Sequence, residues 1–152
     1  MTPITEEVLA SIRKLIRASD VYSSKVRQLS GLTSAQLLLL RAIDKNPSAS
    51  LGALAEEISL SQATTSTILK RLESAGFIRK TRSENDRRRS QIFLTESGSE
   101  ALARAPKPLN QEFLDRFKTL KPYEQSAIVS SLQRVAEMMG DDAPVAIDSD
   151  AA

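Results

Sequence analysis

The run Ser61-Gln62-Ala63-Thr64-Thr65-Ser66-Thr67 is built of small hydroxyl, methyl and carboxamide side chains, and Lys70 and Arg71 follow it. Hydroxyls and amides can hydrogen-bond base edges or phosphates, a methyl can touch the methyl of thymine, and cationic groups neutralise phosphate. Small polar residues are poor helix formers, so an ordinary solvated helix face has no need of so many together. A second concentration lies at Asp86-Arg87-Arg88-Arg89. Adjacent guanidinium groups repel one another and add nothing to a fold. The narrow minor groove of A·T-rich DNA, by contrast, has a negative potential that attracts them. Asp86 runs against simple charge counting. At a tight turn its carboxylate can hold Arg88 in one rotamer and lower the entropic cost of insertion. Asn85-Asp86 also suits a turn in its own right, and the two roles are compatible.

Other chemistries are excluded or disfavoured. The 152 residues contain no cysteine and no histidine. Disulfides, thiol redox sensing and cysteine-ligated metals are therefore excluded, and the commonest metal ligand and general base are missing. Ser97-Gly98-Ser99 has no base nearby, there is no glycine-rich phosphate loop, and Glu56-Glu57 suit the surface of a short helix. No catalytic residue, metal or cofactor is expected, and the chain reads as a non-enzyme. With 41% apolar and 26% charged residues it reads as one soluble domain. The apolar run Leu37 to Leu40 is far short of the roughly 20 residues a membrane helix needs. Residues 1–20 carry Glu6, Glu7 and Asp20 without an apolar stretch, so no secretory signal is expected and a cytoplasmic location follows.

The net charge of +2 conceals an asymmetry. Residues 61–94 hold Lys70, Arg71, Arg79, Lys80, Arg82, Arg87, Arg88 and Arg89 against Glu73, Glu84 and Asp86. Residues 135–152 hold only acids: Glu137, Asp141, Asp142, Asp148 and Asp150. A basic focus on a near-neutral chain points to a polyanion partner, with a solvated charged surface as the alternative.

The spacing of apolar residues supplies the elements that must hold these groups. Val8, Ile12, Leu15, Tyr22, Val26 and Leu29 repeat as a narrow heptad seam over residues 6–29, the pattern of a helix–helix interface. Thr2 or Thr5 can start that helix and Ser30-Gly31 can stop it. Thr33 with Gln36 fits a capping box for the next helix, and Asn46-Pro47 forbids its continuation. Ser50 can cap a short helix through Ile58, and Ser61 another through Ser74, with Gly76 placed for a left-handed residue. Phe77–Arg82 and Ser90–Leu94 suit the strands of a hairpin with a basic tip. Thr95 can cap a further helix, broken by Pro106 and Pro108, after which Leu109, Phe113, Phe117 and Leu120 resume helical spacing. Pro122 opens a last helix, seamed by Ile128, Leu132, Val135 and Met139 and ended by Gly140. Residues 141–152 lack a pattern and are expected to be disordered.

Two helices joined by a short turn and followed by a hairpin make a winged helix-turn-helix. The predicted fold is mainly α with a small β-wing, flanked by N- and C-terminal dimerisation helices. The expected organisation is a single domain over 1–140. Within it, residues 32–98 form the DNA-binding lobe, and 6–29 and 99–140 the dimerisation helices. In such motifs the second helix lies in the major groove, and the hairpin can reach the adjacent minor groove. If Thr65, Ile68, Leu69 and Leu72 face the core, then Gln62, Ala63, Ser66, Thr67 and Lys70 face outward. Lys70 and Arg71 then suit phosphates, and the helix N-terminus can bind another.

These stretches resemble the MarR family of bacterial winged-helix regulators. The matching segments are L-T-S-A-Q-L-L-L-L-R-A-I (32–43), L-A-E-E-I-S-L-S-Q-A-T-T-S-T-I-L-K-R-L-E-S-A-G-F-I (54–78) and D-R-R-R-S-Q-I-F-L-T-E-S-G (86–98). With the terminal helices the resemblance extends over residues 6–139. It implies a homodimer formed by the first and last helices on a palindromic operator. It also implies repression, often relieved by a small ligand lodged between the dimerisation helices and the DNA-binding lobe. The family's wing Asp and Arg fall on Asp86 and Arg88, and its recognition-helix contacts on Ser61, Gln62, Thr64, Ser66 and Thr67. Many members carry an arginine where this chain has Thr67, which points to a weaker or different base readout. Members that sense peroxides use an N-terminal cysteine, which this chain lacks.

The partners expected are therefore double-stranded DNA, a second copy of the chain and a small-molecule effector, with no membrane. Tyr22 or Arg17 are candidate effector side chains, Tyr22 being better suited to the core. A winged-helix protein–protein adaptor is the alternative, and it would favour apolar anchors on the wing in place of arginines.

Overall fold

The computed structural model describes residues 1–82, 90–108 and 111–140. The elements run α1 (Pro3–Ser30), α2 (Ser34–Lys45), α3 (Leu51–Glu57), α4 (Gln62–Ser74), β1 (Ile78–Arg82), β2 (Ser90–Leu94), α5 (Glu96–Arg104), α6 (Gln111–Lys118) and α7 (Pro122–Met139). This is the mainly helical winged-helix architecture expected, with a two-stranded antiparallel sheet. Residues 141–152, expected to be disordered, lie outside the described residues.

Local chemistry explains most of the boundaries. The Thr33 side chain accepts from the Gln36 amide and the Gln36 side chain accepts from the Thr33 amide, a reciprocal capping box. Ser50 caps α3 through the Ala53 amide, Ser61 caps α4 through the Thr64 amide, and Thr95 caps α5 through the Gly98 amide. Each satisfies an amide that the helix start would leave without a partner. Gly31 ends α1 at φ 74, where a left-handed residue is needed. The turn between α3 and α4 places Ser59 at φ 56, a left-handed conformation without glycine.

The chain divides into two compact units, residues 1–106 and 107–152. The core lies in the first. Helix α2 runs through it, burying Leu37, Leu39, Leu40 and Ile43. Around these pack Leu54 and Ile58, Ile68, Leu69 and Leu72, Ile78 and Ile92 of the hairpin, Ala101 of α5, and Val26 of α1. The heptad seam of α1 divides accordingly. Val26 is fully buried in this core and Tyr22 packs on its edge, whereas Leu15 is 61% exposed and Val8 and Leu29 also remain exposed. In the second unit no residue of α6 or α7 is buried. Phe113 and Phe117 stack at 5.6 Å, and the Gln125 amide donates to the carbonyls of Phe117 and Leu120, closing the turn between the two helices.

Candidate nucleic-acid interface

Helix α4 turns one side to the core and the other to solvent. Thr65, Ile68, Leu69 and Leu72 are buried, and Gln62, Ala63, Thr67, Lys70 and Arg71 are exposed. Thr64 and Ser66 are half-buried. The outward residues recur at spacings of four and three, so they form a stripe along the helix.

The hydroxyls of this helix are not equivalent. Ser61 is exposed, but its Oγ accepts from the Thr64 amide at 3.1 Å and donates to Thr64 Oγ1 at 2.8 Å, so it serves the cap. Thr65, fully buried, donates to the Ser61 carbonyl at 2.8 Å. Thr67 is exposed and donates to the Ala63 carbonyl at 3.1 Å, which leaves its oxygen as an acceptor. Thr64 keeps its own hydroxyl proton, since its oxygen is the acceptor from Ser61. The residue type alone does not distinguish these states.

The hairpin is anchored to the chain leaving α2. The strands pair in register from Ile78 opposite Leu94 to Arg82 opposite Ser90. The Ile92 amide donates to the Pro47 carbonyl at 3.0 Å, and the Gln91 side-chain amide donates to Ser48 Oγ at 3.1 Å. Arg79 lies over the ring of Phe93, opposite it on the neighbouring strand, at 5.4 Å. Arg79, Lys80 and Arg82 are all exposed on β1. They belong to the positive focus by sequence, although no motif picks them out; alternation from buried Ile78 marks only Arg79 as outward, while Lys80 and Arg82 share the Ile78 face and are exposed nonetheless. Asp86, Arg87, Arg88 and Arg89 lie outside the described residues.

A further cation sits on α2. Arg41 of α2 is half-buried, its guanidinium donating to the Pro106 carbonyl at 2.7 Å and to the Tyr22 hydroxyl at 3.4 Å. No carboxylate among the described residues pairs with it. Arg17, by contrast, is exposed. Among the described residues there is no group of three or more acidic side chains placed to hold a metal, and no helix is long and apolar enough to cross a membrane.

Comparison with known proteins gives a consistent picture. The MarR family pattern matches residues 32–90. The chain is similar to the transcriptional regulator HosA of Escherichia coli O157:H7, with 32% identity over 111 residues, 71% of this chain and 80% of the relative. Among solved structures it is similar to the PcaV transcriptional regulator from Streptomyces coelicolor in complex with its natural ligand. There the TM-score is 0.62 at 25% identity, covering 91% of this chain and 97% of the other. It is also similar to the transcriptional repressor CouR bound to a 23-mer DNA duplex, with a TM-score of 0.58 at 29% identity, covering 83% and 89%.

Proposed function

The chain belongs to the MarR family of DNA-binding transcriptional regulators, and from that premise we propose that it is a repressor that binds a palindromic operator as a homodimer. The observation that carries this is the two-sided α4: its apolar side is locked into the core while Gln62, Ala63, Thr67 and Lys70 stand outward. In the major groove, Gln62, Ser66 and Thr67 face bases, Ala63 meets a thymine methyl, and Lys70 and Arg71 meet phosphates. Ser61 and Thr64 present the helix start to another phosphate. Arg87, Arg88 and Arg89 enter the flanking minor groove, with Asp86 contributing by holding Arg88 in one rotamer. Exposed Arg79, Lys80 and Arg82 favour this over an adaptor role, which calls for apolar anchors on the hairpin. The chain acts without a catalytic site, metal or cofactor, in the cytoplasm.

A second copy is called for by the uncovered apolar surface. In α1, Leu15, Ile16 and Val21 are each more than half exposed, and α7 exposes Leu132, Met138 and Met139. A two-fold partner covers such faces and presents two α4 helices to half-sites a helical turn apart. Release of the repressor by an aromatic acid is the reading favoured by Arg41 and Tyr22, a cation that pairs with no carboxylate among the described residues, beside a phenol. PcaV, solved with its natural ligand, and CouR, a repressor solved on DNA, support ligand control and repression by likeness.

The test is a mobility-shift titration against the DNA flanking the protein's own gene over a series of salt concentrations. If a dimer neutralises about six to ten phosphates, log K falls with log salt at a slope of roughly −5 to −9. A flat response, or equal affinity for a random duplex, overturns sequence-specific binding. A monomer at micromolar concentration by light scattering overturns the dimer.

A further inference from the structure

Gly52 is the second residue of α3, and its φ is not in the left-handed region, so no turn geometry requires glycine there. Glycine is also the poorer helix former, so alanine would suit the backbone better. The reason for glycine lies in what stands above its α-carbon. A Cβ built on Gly52 would meet Nε2 of Gln62 at 3.3 Å and Cδ of Gln62 at 4.0 Å. The remaining neighbour, Ser50 Oγ, is 3.9 Å away in ordinary contact and is engaged in capping the Ala53 amide. No backbone atom crowds the site. The carboxamide of the first residue of α4 stands a few tenths of an ångström closer than a side chain on α3 would comfortably allow.

We infer that Gly52 is a specificity-determining positioning residue, whose missing side chain seats the Gln62 carboxamide and sets its direction, a role that rests on α4 being the DNA-reading helix. Glutamine has three rotatable side-chain bonds, and fixing them is an entropic cost of any bidentate contact to adenine. A carboxamide already resting against α3 in the free protein has part of that freedom removed before DNA arrives. A methyl group at position 52 pushes into a contact shorter than the usual van der Waals separation. What gives way is the mobile end of Gln62, since nothing rigid stands in its path. The consequence is selective: the fold is kept, and the carboxamide is displaced by about a few tenths of an ångström from its seat.

The experiment uses the full chain as wild type, Gly52→Ala, Gln62→Ala and the double variant. Each is measured for urea unfolding and for affinity to the operator and a panel of its single-base-pair variants. Gly52→Ala is expected to unfold at or above the wild-type urea midpoint. It should lose about fivefold or more of discrimination at the base pairs where Gln62→Ala also loses it, within the range of a single base contact. In the Gln62→Ala background it should change nothing. In the DNA-free protein, the Gln62 side-chain amide resonance, assigned by its loss in Gln62→Ala, should shift in Gly52→Ala. Wild-type discrimination by Gly52→Ala, an unmoved amide resonance, or an equal effect with and without Gln62 overturns the seat. If Gln62→Ala itself discriminates every base pair as wild type does, readout through Gln62 falls, and the seat falls with it.

Discussion

The carbonyl oxygen of Phe77 stands where a side chain of Gly98 would be: a Cβ built on Gly98 lies 2.1 Å from it. The same oxygen accepts from the Thr95 amide at 3.0 Å, and Thr95 Oγ1 donates to the Gly76 carbonyl at 2.5 Å while accepting from the Gly98 amide at 3.1 Å. The Thr-x-x-Gly spacing at 95–98 is therefore a joint. It fastens the start of α5 to the segment that leaves α4 and enters the wing. Gly98→Ala is expected to force the backbone apart and cost about 1–3 kcal/mol, as overpacking does. Urea unfolding checks this, and an unchanged midpoint refutes the close approach.

Thr67 offers a sharper discrimination, because its hydroxyl proton is committed to the Ala63 carbonyl. Thr67→Val keeps a methyl at that position and is expected to leave operator affinity almost unchanged. Thr67→Ala is expected to weaken it by about 0.8 kcal/mol, the worth of one buried methyl-sized group. Fluorescence anisotropy with labelled operator separates the two. A loss of about 1 kcal/mol or more in Thr67→Val would mean that the hydroxyl oxygen itself bonds a base, as an acceptor or with its proton released from Ala63.

The wing is predicted from charge and motif alone. Arg88→Ala is expected to weaken operator binding by about 1–3 kcal/mol. Asp86→Ala is expected to weaken it too, although that change makes the protein more positive. Tighter binding by the Asp86 variant would show that its carboxylate merely opposes phosphate. Competition binding at fixed salt decides the sign.

The proposed release by an aromatic acid puts Arg41 to the test, because its guanidinium is the cation expected to meet the carboxylate. A tenfold change in operator affinity needs only about 1.4 kcal/mol of coupling, and by reciprocity the operator must weaken the effector by the same factor. Calorimetric titration of a panel of aromatic acids, with and without operator, measures both sides of that cycle. Arg41→Met is expected to abolish the response to an acid that releases the wild type while keeping operator affinity. An acid that binds equally well in both states is not the effector.

The caps were legible because each depends on a few adjacent residues. Thr33, Ser50, Ser61 and Thr95 all accept from the amide three residues on, as their sequence positions imply. The two sides of α4 were legible for the same reason, since Ile68, Leu69 and Leu72 fix which side is buried. The seam of α1 was only partly so. A heptad of apolar residues looks the same whether it packs on its own core, as Val26 does, or stays uncovered, as Leu15 does. Ser59 gives no sign in the sequence of its left-handed turn. The Arg41 bond to the Pro106 carbonyl joins residues 65 apart, beyond any local pattern. Gly52 falls between these cases: glycine inside a predicted helix was visible, but the carboxamide above it belongs to the next one.

The small sheet has a consequence for the behaviour of the protein in solution. Its β2 edge receives the Pro47 carbonyl at Ile92, while among the described residues the far edge of β1 has no backbone partner. An open strand edge is a template on which other chains can polymerise, and closely spaced charge is one means of preventing it. Arg79, Lys80 and Arg82 all lie on that strand. The cations that suit the hairpin to a polyanion therefore also act as gatekeepers against edge-to-edge aggregation. A variant neutralised at all three would precipitate at concentrations where the wild type stays dispersed.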